Sequence, residues 1–277
     1  MNGNHHRRLD ASTLSGLWVA ADRHTMSVEA MDIAQCDGVC ALRAAGVDTA
    51  GPRDWGEVEV MTHAAGVNGT VAIGATARYD FGFLDTTLTF FVKNGIIILC
   101  TFNQWKDGSG RADYFTREFL YRRFRDGGRY RAAGTVSGGI SRGLDRPTGR
   151  TVPRIDTAPI TGRFRSCDRA TPGFVEITVG GEGRDLAITL RAGRSAAHPG
   201  RTADVLPIQG TAFGDGVHGG AAAGFLAESQ SSSQRLVLAA YLNKGLLAID
   251  TFATCLDGGG RSAYRSRDHF YRVSDLD

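Results

Sequence analysis

The sequence predicts an all-β protein built from two tandem, homologous eight-stranded antiparallel β-barrels. Three observations carry that expectation. The chain repeats itself, because Gly95–Arg122 (GIIILCTFNQWKDGSGRADYFTREFLYR) recurs at a constant offset as Gly245–Arg272 (GLLAIDTFATCLDGGGRSAYRSRDHFYR). Thr101, Phe102, Asp107, Gly108, Gly110, Arg111, Tyr114, Arg117, Tyr121 and Arg122 all match in register. The 37 glycines among 277 residues cut the chain into short segments separated by turn dipeptides. Those segments show no 3.6-residue apolar period. The repeat predicts a first barrel over residues 1–128, a linker over 129–153 and a second barrel over 154–277.

Each element follows from local chemistry. The polar start through His5, His6, Arg7 and Arg8 predicts a mobile tail. A first strand is expected over Leu14–Asp22. Residues 26–36 and Val39–Ala44 read as a hairpin turned by Asp37-Gly38, a dipeptide that tolerates the positive φ of a tight turn. A loop is expected through Gly51, Pro52 and Trp55, then a strand over Glu57–His63 and a turn at Gly66–Gly69. Strands over Thr70–Phe81, Thr86–Lys93, Gly95–Lys106 and Arg111–Arg122 complete the module, turned at Asn94-Gly95 and Asp107–Gly110. The second module restarts the pattern. Asp22-Arg23-x-Thr25 recurs as Asp168-Arg169-x-Thr171, and Leu42-Arg43-Ala44 as Leu190-Arg191-Ala192. Consecutive antiparallel strands left flat would keep two unpaired edges, and closure removes both. A barrel of this size has room for side chains or one small ligand. A β-sandwich is the structural alternative.

The Gly16-x-Trp18 start and the terminal Arg122, matched by Gly162, Phe164 and Arg272, resemble the lipocalin and calycin pattern. The resemblance implies that Trp18 lies at the closed end of a barrel with Arg122 packed across it. Tandem lipocalin-like folds occur in some cofactor-free cyclases and hydratases of natural-product pathways. The resemblance therefore implies a small-molecule enzyme of that architecture, although fold alone does not fix function.

Composition narrows the classes. Net charge is +3, with 42% hydrophobic and 22% charged residues. The balance argues against a nucleic-acid partner. No apolar run reaches the ~20 residues of a membrane span, so no membrane insertion is expected. The N-terminus lacks an apolar signal core, and five cysteines show no disulfide-like spacing. These features predict a cytoplasmic protein with free thiols. Metal, dinucleotide and P-loop motifs are missing from the sequence, so no cofactor is expected.

Candidate chemistry comes from strand alternation. Period two puts Tyr114, Thr116, Glu118 and Leu120 on the face of Arg122. Glu118 and Tyr114 are the expected acid–base pair, since a carboxyl in an apolar barrel is desolvated. Thr101, Asn103 and Trp105 share the uncharged face of the preceding strand. Asn103 is expected to donate to a substrate carbonyl, and Trp105 to form an apolar wall. Thr101, Tyr79, Asp80 and Trp18 complete the expected substrate contacts. The alternative for each conserved-in-both-copies position, such as Arg117/Arg267, is a fold role, and for each carboxylate it is an ion pair. The expected function is a cofactor-independent cyclase or isomerase acting on a hydrophobic polyketide or terpenoid. The alternatives are a non-catalytic binding protein for an apolar ligand and a scaffold whose barrels are filled by side chains.

Overall fold

A computed structural model describes residues 7–25, 27–48, 51–123, 155–193, 205–218 and 220–273. The expected linker over 129–153 and the His5-His6 tail fall outside the described residues. Every element is a strand, and no helix occurs among the described residues.

The first module contains β1 (Gly16–Ala20), β2 (Val28–Cys36), β3 (Val39–Asp48), β4 (Gly51–Glu59), β5 (Met61–Ala64), β6 (Ala72–Asp80), β7 (Leu84–Lys93), β8 (Ile96–Trp105) and β9 (Tyr114–Arg123). Their antiparallel pairings run from β9 to β1, β2, β3 and β4, and from β5 to β6, β7 and β8. β4 and β5 are one strand bent at Val60, whose N–H is donated to the Cys40 carbonyl at 2.9 Å. The result is a ring of strands, compatible with a β-barrel. The second module repeats it with β10 (Ile155–Asp156), β11 (Gly162–Ser166), β12 (Phe174–Glu182), β13 (Asp185–Ala192), β14 (Val205–Gly214), β15 (Gly220–Gln230), β16 (Gln234–Asn243), β17 (Leu246–Cys255) and β18 (Tyr264–Arg272). There β18 pairs β11, and the order continues through β12, β13, β14, β15, β16 and β17.

The hairpins obey turn chemistry. Asp37-Gly38 and Asn94-Gly95 have φ of 51° and 79°, and 52° and 78°. Positive φ at both central residues matches the strand twist, and Asp, Asn and Gly reach it most easily. The expected loop at Gly51–Trp55 is instead the start of β4. A bulge opposite Ala44 and Ala45, with Gly56 at φ 83°, lets the chain pair here while turning Trp55 onto the core. Arg8, expected in the mobile tail, donates to the Asp37 carbonyl at 2.9 Å.

The chain divides into two compact units that are not its two contiguous halves. Unit 1 gathers residues 1–111, 116–151 and 258–264, and unit 2 gathers 112–115, 152–257 and 265–277. Tyr264 accordingly pairs with Ala64 of β5 in unit 1, and Tyr114 with Gly214 of β14 in unit 2. The interior of unit 1 is filled by Trp18, Met31, Ile33, Leu42, Leu88, Phe90, Leu99 and Leu120, all fully buried. Phe164, Ile177, Leu190, Phe225, Leu238, Ile249 and Phe270 play the same part in unit 2. Burying such side chains contributes roughly 1.5–3 kcal/mol each, which is what holds strands of short sequence range in a ring.

Candidate functional site

The base of each ring is built alike. The Trp18 indole N–H donates to the Leu14 carbonyl at 2.7 Å, and the Arg122 guanidinium lies 4.7 Å from the ring. Arg122 also donates to the Thr13 carbonyl at 2.6 Å. In unit 2, Arg272 lies 5.2 Å from the Phe164 ring and donates to the Ala158 and Pro159 carbonyls. Trp18 is 1% exposed, so it closes the base and presents no face to a ligand.

The opposite end of unit 1 collects most of the other predicted residues. Register sets Tyr79, Thr86 and Asn103 side by side across β6, β7 and β8, with Leu88 and Thr101 one row deeper and Leu84 and Trp105 one row out. Thr101, Asn103 and Trp105 therefore share the inner face with Ile97 and Leu99 of the core. Thr86 donates its hydroxyl to Asn103 Oδ1 at 2.8 Å, leaving the Asn103 amide nitrogen as donor. Thr101 Oγ1 is buried without a hydrogen-bond partner among the described residues.

Tyr79 has a different role from the one expected. Its hydroxyl accepts from the Ala44 N–H at 3.1 Å and faces the Leu42 and Gly56 carbonyls at 3.2 and 3.3 Å. Burial pushes its phenol well above the usual range. The hydroxyl ties β6 to the bulged β3–β4 pair, and its one proton is directed to the backbone carbonyls there. Asp80 points outward. It accepts from Lys106 at 2.6 Å and from the Gly82 N–H at 2.7 Å, and the Lys106 ammonium holds its carboxyl below the usual range. It caps a surface turn.

An aromatic row lines this end. Trp55 meets Tyr79 and Phe81 edge-on at 5.3 and 5.4 Å, and Tyr79 stacks on Phe81 at 5.7 Å. Phe81 leads to Phe83 at 6.5 Å, and Phe83 stacks on Trp105 at 6.1 Å. The Arg111 guanidinium lies 3.4 Å from the Trp105 ring centre. Sequence reasoning found Tyr79 and Trp105 but missed Trp55, Phe81, Phe83 and Arg111. The aromatic-x-aromatic spacing of Tyr79, Phe81 and Phe83 was the available signal.

Glu118 stands on the same face of β9 as Leu120 and Arg122. Antiparallel alternation brings the start of β9 and the start of β2 to the end where β6 and β8 finish. Thr25, just before β2, donates its hydroxyl to Glu118 Oε1, and the Ser27 hydroxyl meets the Thr116 hydroxyl at 3.0 Å. Glu118 Oε2 is buried without a hydrogen-bond partner among the described residues. Burial raises the Glu118 pKa, the Thr25 bond opposes that, and the nearby Asp22 charge adds to it. Tyr114, expected beside Glu118, opens the same strand β9 and bridges to Gly214 of β14.

Thr25 was not singled out from sequence, although its recurrence as Thr171 marked it. Thr171 donates to Asp268 Oδ1 at 3.1 Å in unit 2, and burial raises the Asp268 pKa as well. An open depression of about 430 Å³ at the base of unit 2, lined by Ile155–Ala158, Thr161 and Gly181–Gly183, contains none of the predicted residues. The five cysteines are free, and no group of three or more His, Cys, Asp or Glu among the described residues could hold a metal ion. Among the described residues no helix is long and apolar enough to cross a membrane. No protein-family model matches the chain, and no curated protein matches it in sequence.

Proposed function

We propose that the two units are lipocalin-like barrels and that the protein is a cofactor-independent cyclase or isomerase of a hydrophobic small molecule, of polyketide or terpenoid type. The reaction takes place at the end of unit 1 that carries Glu118. One observation carries this reading. Glu118 is a half-buried carboxyl with one oxygen held by Thr25 and the other buried without a hydrogen bond. Desolvation favours its neutral form, which is the state a general acid needs.

In the proposed step the Glu118 carboxyl gives its proton to a substrate carbonyl oxygen. An internal nucleophile of the substrate, such as a hydroxyl, closes the ring on the activated carbon. The Glu118 carboxylate then takes the proton that the nucleophile releases. Product and substrate share one formula, and no external reductant or oxidant is consumed. The Asn103 amide nitrogen and the aromatic row from Trp55 to Trp105 hold the reactive conformer, which is the main contribution when no cofactor is present. Trp18, closed off at the base, and Asp80, on the outer surface, take no part.

A second reading is a protein that binds an apolar ligand without turning it over. The recurrence of the threonine–carboxyl pair as Thr171–Asp268 favours it, because a feature common to both copies also suits a role in the fold. Deleting the gene in the source organism and comparing small-molecule extracts by chromatography with mass detection separates the two. The enzyme reading predicts an accumulated isomer of unchanged mass that the purified protein converts. Extracts that differ only in amounts would support binding alone.

A further inference from the structure

We propose that each unit carries a carboxylic acid whose proton position is fixed by a threonine, Glu118 by Thr25 in unit 1 and Asp268 by Thr171 in unit 2, so that unit 2 holds a second acid site. The argument rests on which atoms can donate. The Ser27 N–H donates to Thr25 Oγ1 at 3.2 Å. A backbone N–H can only donate, so this contact uses the hydroxyl as an acceptor. The hydroxyl has no acceptor other than Glu118 Oε1 among the described residues, so its own proton goes there. A carboxylate and a neutral carboxyl both accept in this way, but in the neutral form the accepting oxygen is the carbonyl-type one. The acid proton of the neutral form is therefore on Oε2, the buried oxygen without a partner.

Unit 2 repeats the threonine contacts. The Gly173 N–H donates to Thr171 Oγ1 at 3.1 Å, and Thr171 donates to Asp268 Oδ1 at 3.1 Å. The proton of the neutral Asp268 carboxyl is then on Oδ2. A Cβ at Gly173 would lie 3.3 Å from that oxygen, so the glycine leaves it uncovered. A second carboxylate acts on each acid, Asp22 on Glu118 and Asp168 on Asp268, and favours the neutral form. In unit 2 the His269 charge acts more strongly than Asp168 and in the opposite direction. An O–H donor beside a fixed negative charge suits a neutral molecule with an acceptor oxygen (a carbonyl, hydroxyl or ether) and disfavours an anionic one.

The chemical meaning of the Glu118 half rests on the acid role given above, but the test needs no substrate. Full-length protein carrying ¹³C-labelled Glu and Asp carboxyls is titrated by NMR, with Glu118→Gln and Asp268→Asn assigning the two signals. Both groups are expected to titrate above the ordinary carboxylate range. Thr25→Val raises the Glu118 midpoint further, because the lost hydrogen bond favoured the charged form, and Thr25→Ser restores it. Thr171→Val and Thr171→Ser do the same for Asp268. A midpoint at or below the ordinary range, or one that the valine variants leave in place, overturns the proposal. Should a valine variant not fold, the infrared C=O stretch of the neutral labelled carboxyl in the unchanged protein decides. A hydrogen-bonded carbonyl frequency supports the wiring, and an unbonded one overturns it. Failure of the cyclase reading leaves these titrations unaffected, and failure here leaves the extract comparison open.

Discussion

The two units share a backbone and differ at one end. In unit 1 the turn after β6 carries Phe81 and Phe83, and the Phe81 N–H donates to the Leu84 carbonyl. In unit 2 the matching turn carries Ser231 and Ser233 and closes in the same way on Gln234. Trp105 opposite Leu84 becomes Cys255 opposite Gln234, and Asn103 opposite Thr86 becomes Ala253 opposite Leu236. The base and the threonine–carboxyl pair are kept in both. The base that both copies retain is explained by the fold they share. Phe81, Phe83, Trp105 and Asn103 are not needed for the strand pairings, because unit 2 makes the same pairings without them. Unit 1 is therefore the better candidate for recognition of an apolar molecule.

The largest test of this comparison is at the base. Trp18→Ala and Phe164→Ala each remove a fully buried aromatic from beneath an arginine, and each should cost roughly 3–5 kcal/mol in denaturant unfolding. Similar losses in the two units would mark the base as common structure. A much smaller loss at Phe164 would break the equivalence. Tyr79→Phe should cost about 1–3 kcal/mol, because it strips a hydroxyl from the Ala44 N–H and leaves that donor buried. Ser229→Ala, at the matching place in unit 2, should cost far less.

Phe83→Ser gives unit 1 the corner that unit 2 has. It removes two ring contacts worth about 0.5–1.5 kcal/mol each. Fluorescence of an apolar dye such as Nile red should show weaker binding with only a modest loss of stability. Unchanged binding would remove the aromatic row from the site. The smallest effect is in the pH dependence of stability. Glu118 and Asp268 have raised folded pKa values, so their contribution is full below the unfolded pKa and is lost as pH rises through the folded one. Asp54 is the reverse case. Burial raises its pKa, but Arg43 and the Gly56 N–H outweigh burial and leave it lowered. Its contribution is present above the unfolded pKa and lost as pH falls through the folded one. In stability measured from acid to neutral pH, Glu118→Gln should therefore flatten the loss that accompanies rising pH, and Asp54→Asn the loss that accompanies falling pH.

Much of this was legible in the sequence. The constant-offset repeat, the Asp-Gly and Asn-Gly turns and the inner face of Thr101, Asn103 and Trp105 follow from periods and dipeptides that act over a few residues. The Trp18–Arg122 contact came from a motif resemblance and is present as geometry. What the sequence hid depends on pairings between distant segments. The bulge at Ala44–Ala45 turned an expected loop at Trp55 into a strand and delivered the Tyr79 hydroxyl to β3 and β4. Tyr114 meets Gly214 and Tyr264 meets Ala64 through single bridges, which no local pattern announces. Thr25 was visible as a recurring residue, but only its bond to Glu118 gave it a role.

The most direct test compares the purified protein with Glu118→Gln on the isomer that accumulates when the gene is deleted, with conversion followed by retention at unchanged mass. General acid catalysis contributes about 10²–10⁴-fold, so the variant should lose at least ~100-fold in rate while unfolding as cooperatively as the parent. Equal conversion by both proteins, or conversion by neither, would contradict the acid role of Glu118 and leave unit 1 as a binding site.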